Sequence, residues 1–163
     1  GVSVSTVEAG EAAAALAPDL LVVPYNLVFS QVLHRLAGVL SAGPIGVVAR
    51  SPYGYGVLAD TWGASRRFRD DDHRMYRWSA SDLTRRVKQR EALRPLVAEG
   101  VPSLRALALR YVLANGLVTV AVPGARTPEH VRDNAHLAEE LPYLPERVLV
   151  EIGQHLRDAG VEA

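Results

Sequence analysis

Short apolar runs alternate with longer amphipathic stretches along the chain. Leu20–Pro24 (LLVVP), Ile45–Ala49 (IGVVA) and Val118–Val122 (VTVAV) have the length of strands. They are apolar enough to predict parallel strands covered on both faces. Gly1–Val4 reads as the last turn of a further strand. Helical patterns fill the intervals. Ser5 or Thr6 caps a first helix, Ser5-Thr6-Val7-Glu8 having capping-box spacing, and it runs to Ala17 before Pro18, with Gly10 a mild cost inside it. A second helix spans Ser30 to Leu40, with Val32, Leu36, Val39 and Leu40 on one face, and Ser41-Ala42-Gly43-Pro44 ends it. Strand and helix alternating through short links predict right-handed crossovers and a parallel sheet.

The rhythm breaks after Arg50. Ser51–Ala80 holds Pro, Gly, Trp, Tyr and a charge cluster without a sustained period, the profile of a lid or binding loop. Helix resumes from Asp82 to Glu99, closed by Gly100, with Leu83, Val87, Ala92, Leu93 and Leu96 as its apolar stripe. Pro95 is expected to kink or end it. Ser103 caps another helix through Leu113, stopped at Asn115-Gly116. A last amphipathic helix runs from Pro145 to Gly160, with Val148, Ile152, His155 and Leu156 inward.

The 163 residues, 48% hydrophobic and 22% charged, suit one folded domain. Zero formal net charge gives no electrostatic case for nucleic acid or an anionic membrane. No apolar run has the ~18 residues needed to span a bilayer. The absence of cysteine excludes disulfides and thiolate metal sites and suits a cytoplasmic location.

Candidate chemistry concentrates where strands end. At Thr119–Asn134 (TVAVPGARTPEHVRDN) a strand stops at Pro123-Gly124 and a helix opens with Thr127 as N-cap, Pro128 at the first position and Glu129 in the first turn. Backbone N–H groups and a partial positive charge then converge beside Arg126, an arrangement that holds phosphate. An ordinary strand-to-helix turn with a solvated Arg126 is the alternative. The other strand-end residues, Ser3, Val4, Pro24, Tyr25, Asn26 and Arg50 to Gly56, include hydroxyls and arginine but no carboxylate or histidine. They fit ligand binding better than proton transfer. Phe68-Arg69-Asp70-Asp71-Asp72-His73-Arg74 could ligate a divalent ion, but neighbouring residues cannot all point inward. His34, His136 and His155 sit on helices without a partner acid and are read as structural.

Pro123–Asn134, P-G-A-R-T-P-E-x-V-x-x-N, resembles the eighth strand and following helix of aldo-keto reductases. Gly1-Val2-Ser3, Pro24-Tyr25-Asn26 and Ser51–Leu58 are similar to other segments of that family, and Phe68–Arg74 resembles an F-x-x-D-D-H-R segment whose ion pairs order its long loop. The resemblance implies the C-terminal half of a TIM-type (β/α)8 barrel, about four parallel strands with flanking helices. The length is short of the ~250 residues of a complete barrel, so residues 1–163 are expected to form one partial domain, residues 51–80 its long loop, and the missing N-terminal half its partner.

By the same resemblance the cofactor is NADP (NADPH) and the parent's substrate a small-molecule carbonyl. Arg126, with Gly124, His130, Asp133 and Asn134, faces the adenosine phosphate; Ser3, Arg50, Ser51, Pro52 and Tyr53 face the nicotinamide side. Arg50 stacks on the nicotinamide ring or forms a barrel-end salt bridge, and His130 shares the anion or is a surface residue. Tyr55 and Trp62 line the substrate mouth or pack the loop. The family's Asp, Tyr, Lys and His tetrad belongs to four earlier strands, and Lys88, the one lysine, lies mid-helix and cannot replace it. Val4 and Val22 stand where the family often has carboxamide-anchoring Asn and Gln. A non-catalytic nucleotide-binding barrel of the family, or another phosphate-binding barrel, is the alternative.

Overall fold

The computed structural model describes residues 1–59, 62–98, 100–139, 141 and 143–160. Strands β1 (Val2–Ser3), β2 (Leu20–Pro24), β3 (Gly46–Arg50) and β4 (Val120–Val122) form one sheet in chain order, every pair parallel. Helices α1 (Val7–Ala14), α2 (Gln31–Ser41), α3 (Ala80–Ala92), α4 (Leu104–Leu113), α5 (Pro128–Leu137) and α6 (Glu146–Asp158) flank it. Four parallel strands with flanking helices are the expected arrangement.

The two sheet faces differ. Leu21, Val23, Val47 and Ala49 point to the helices and are buried with Leu33, Leu36 and Leu40 of α2. The register aligns Ser3, Val22, Val48 and Val120 in one row and Pro24, Arg50 and Val122 in the next, on the opposite face. There Val120 is 47% and Val122 54% exposed, so β4 is not the doubly covered strand its composition predicts. It is an edge strand, with no described element lying across its second face. Alpha-4 gives Leu104, Leu107 and Leu109 to a second core, while its Val112 is buried with the sheet and α2.

Several boundaries shift for identifiable reasons. Thr6 alone caps α1, accepting from the Ala9 N–H, and the helix ends at Ala14 rather than Ala17. Ala17 has φ 48°, where no helix continues. On α2 the buried stripe is Leu33, Leu36 and Leu40, while Val39 is 41% exposed. Ser79 caps α3 through the Asp82 N–H, placing the start at Ala80 instead of Asp82. Alpha-3 closes at Ala92 and a 3-10 turn carries Arg94–Leu96 past Pro95; the expected end at Glu99 lies outside the described residues. Within 51–80, Gly54–Ala59 forms a 3-10 turn with Tyr55 at φ 60° and Gly56 at φ 99°. Among the described residues no helix is long and apolar enough to cross a membrane.

Candidate functional site

At the end of β4 the local sequence chemistry acts as predicted. Thr127 caps α5 by accepting from the His130 N–H at 3.2 Å, Pro128 fills the first position and Glu129 lies in the first turn. His130 bends back as well, and its Nδ1 accepts from the Arg126 N–H at 3.3 Å. Two of the backbone amides at this helix start therefore already have partners. Accepting through Nδ1 leaves the proton of the neutral ring on Nε2.

The loop after β3 is fixed from below. Ser51 takes φ 59°, and its carbonyl accepts from the Gly54 N–H and from Asn26 Nδ2, both at 2.9 Å. Pro52 and Tyr53 are buried beneath this turn. The Tyr53 hydroxyl donates to Asn134 Oδ1 at 2.5 Å, and Arg105 Nη2 donates to the same oxygen at 2.7 Å. Burial raises the Tyr53 pKa above the usual phenol value, with Arg105 opposing it, so the hydroxyl is a donor at neutral pH. The Arg105 guanidinium lies 5.0 Å from the Tyr53 ring centroid. Asn134 thus ties the loop to α5 through Oδ1, whereas Asp133 beside it is exposed.

Between the two loops lies a cavity of about 590 Å³. Arg126, Arg105, Arg74, His130, Ser51 and Tyr53 are in its wall, and Gly124 forms part of the rim. Among the described lining residues none is Asp or Glu. In a protein of zero formal net charge, the wall is locally cationic. Arg74 is itself bound to Asp72, Nη2 to Oδ2 at 2.5 Å, and this holds the Asp72 carboxyl well below the usual range. Arg69 pairs with Asp71 at 3.2 Å, so two of the loop's three adjacent carboxylates face arginines. Among the described residues no group of three or more His, Asp or Glu converges as a metal site. Arg105 escaped the sequence reading, and Arg74 entered it only as part of the loop-ordering segment, not as a wall of this cavity. The available signal for Arg105 was a cation in the otherwise apolar start of α4.

The remaining candidates divide. Ser3 is exposed on the open sheet face, in register with Val22. Val4 is 3% exposed and buried against the helices. Arg50 donates to the Ser5 hydroxyl at 2.7 Å and to the Tyr55 hydroxyl at 3.1 Å, so hydroxyls hold it rather than a salt bridge. Tyr25 and Asn26 do not present their side chains at the strand ends. The Tyr25 hydroxyl meets His34 at 3.3 Å and Asn115 at 2.9 Å in the helical layer, and Asn26 braces the loop after β3. Lys88 is exposed on α3.

The fold is similar to that of a glycerol dehydrogenase from Gluconobacter oxydans, with TM-score 0.79 and 20% identity over 98% of this chain and 49% of that one. It is also similar to an aldo-keto reductase from Bacillus halodurans. The apo form matches with TM-score 0.64 and 20% identity over 98% of this chain and 50% of that one. The holo form matches with TM-score 0.62 and 21% identity, covering 98% and 49%. The chain therefore spans about half the length of the solved structures it matches. No curated protein sequence matches it. The model of the aldo/keto reductase family matches residues 1–155, and the chain belongs to that family.

Proposed function

We propose that this chain supplies the cofactor-binding side of an NADPH-dependent carbonyl reductase. The observation that carries this is the arginine-lined cavity between the loop after β3 and the start of α5, free of Asp and Glu among its described lining residues. Its donor set fits a dinucleotide carrying an additional phosphate. Arg126 and Arg105 offer guanidinium donors to that phosphate, with His130 Nε2–H beside them and Gly124 leaving the approach open, no atom lying within 4 Å of a Cβ built there. Asp133 and Asn134 flank the adenine end, Asn134 by holding Tyr53 in place. Ser3, Arg50, Ser51, Pro52 and Tyr53 are assigned to the nicotinamide side in this proposal, Arg50, Ser51 and Tyr53 lining the cavity and Ser3 lying exposed on the open sheet face.

When bound, the reduced nicotinamide supplies the hydride that a carbonyl carbon accepts. This chain's residues bind and orient the dinucleotide. Proton delivery to the carbonyl oxygen is assigned to the N-terminal half of the barrel, which would also cover Val120 and Val122. A small carbonyl compound is the substrate and the cytoplasm the setting in this proposal. Valines at positions 4 and 22 favour a second reading, a barrel that binds the nucleotide without turning it over, because neither can anchor a carboxamide. Fluorescence titration of the native protein with NADPH and NADH tests the cofactor assignment. Clear preference for NADPH supports it, and equal affinity overturns it.

A further inference from the structure

A second cavity, of about 750 Å³, opens on the other side of Arg50 and Tyr55. Its wall is again cationic, with Arg77, Arg85 and Arg86 joining Arg50 and no Asp or Glu among the described lining residues. Two of these arginines lie over aromatic rings. Arg77 sits 3.5 Å from the Tyr55 ring centroid and Arg86 4.2 Å from that of Phe29. Stacking fixes a guanidinium in place without consuming its N–H donors.

Arg86 spends Nη1 on the Val28 carbonyl and on Gln89 Oε1, both at 2.9 Å, while its Nε is buried without a partner. Burial and then the neighbouring Arg85 pull its pKa below the usual guanidinium value, and Asp82, which pairs with Arg85 at 3.1 Å, opposes them only in part. Residues at the start of α2 complete the wall. That helix has no acidic residue in its first turn and no side-chain cap, since the Ser30 hydroxyl engages Tyr111 instead. The positive end of an 11-residue helix and four guanidinium groups thus share one cavity.

We propose that this second cavity binds a carboxylate or phosphate group, and that it is the acidic tail of the carbonyl substrate. The substrate assignment rests on the proposed cofactor reading, because Arg50 and Tyr55 form the wall common to both cavities. The anion site itself stands on its own residues. Substrates are then acidic aldehydes or ketones, and uncharged ones of the same length are poor.

Isothermal titration of the native protein with succinate, inorganic phosphate and uncharged succinamide tests this. Succinate or phosphate is expected to bind, succinamide is not, and affinity falls as salt rises. Arg77 and Arg85 are exposed, so the double variant Arg77→Gln/Arg85→Gln is expected to melt like the parent yet bind the anion on the order of tenfold more weakly. Its NADPH titration is expected to be unchanged, and Arg126→Ala is expected to leave succinate affinity intact. Equal affinity for succinate and succinamide, or full affinity in the double variant, overturns the proposal. Succinate binding by a protein that ignores NADPH keeps the anion site and overturns the cofactor reading together with the substrate assignment.

Discussion

Tyr53 and Asn134, 81 residues apart in the chain, meet in a 2.5 Å hydrogen bond from the phenol to the amide oxygen. Arg105 donates to the same oxygen from α4, so three segments meet at one buried acceptor. The bond links the loop after β3 to α5, the helix that opens at Thr127. Because its members are buried, removing either partner has different consequences.

Tyr53→Phe leaves Asn134 with its Arg105 donor and is expected to cost about 1 kcal/mol. Asn134→Ala strands both the buried phenol and a guanidinium N–H and is expected to cost about 2–3 kcal/mol. Urea unfolding of the two single variants and the double variant checks this. The double variant is expected to lose less than the sum, because the pair shares one bond.

The cap of α5 gives a second test. Thr127→Ala removes the acceptor of the His130 N–H and is expected to destabilise by about 1 kcal/mol, whereas Thr127→Ser keeps the oxygen and loses little. Thermal melting of both variants reads the difference.

Acid stability depends in part on Glu91. Arg94 first, and Arg90 after burial's opposing effect, lower its pKa from 4.5 to about 2. A depressed folded-state pKa gives stabilisation that is complete above pH 4.5 and is lost as the pH falls toward 2. The Glu91 side chain is 43% exposed, so solvent screening keeps the effect to about 1 kcal/mol or less. Glu91→Gln is expected to lower stability at neutral pH and to flatten the acid limb of a stability–pH curve. Asp72, lowered chiefly by Arg74, acts in the same direction.

Gly10 marks the crossing of α1 and α2. A Cβ there would collide with Leu36 Cδ1 and lie 3.0 Å from Cδ2, and Leu36 is fully buried. Leu36 is packed within the core of the sheet and α2, which leaves it little room to turn aside. Gly10→Ala therefore gains helix propensity but is expected to destabilise by a net ~1 kcal/mol, since overpacking costs about 1–3 kcal/mol. Chemical denaturation measures it, and a more stable variant would refute the close-packing account.

The parts of this molecule legible in sequence were those fixed by neighbours in the chain. Thr127, Pro128 and Glu129 act locally, so the start of α5 could be read directly. The exposure of Val120 and Val122 depends on what lies across the sheet, which a run of valines does not encode. Tyr25 follows a strand end and so resembled a site residue, yet its phenol turns to His34 and Asn115 in the helical layer. Arg105 and Arg74 joined the candidate site only through folding, since neither lies beside Arg126 in sequence. Gly10 looked like a modest helix defect because its reason, Leu36, belongs to another helix.

The most direct measurement is the affinity of native protein and Arg126→Ala for NADPH and NADH, taken by fluorescence titration in one buffer. A lost guanidinium–phosphate contact is expected to weaken NADPH by about 2 kcal/mol, or roughly thirtyfold, while NADH binding stays unchanged. Equal losses for both cofactors, or a native protein indifferent to the additional phosphate, would contradict the account.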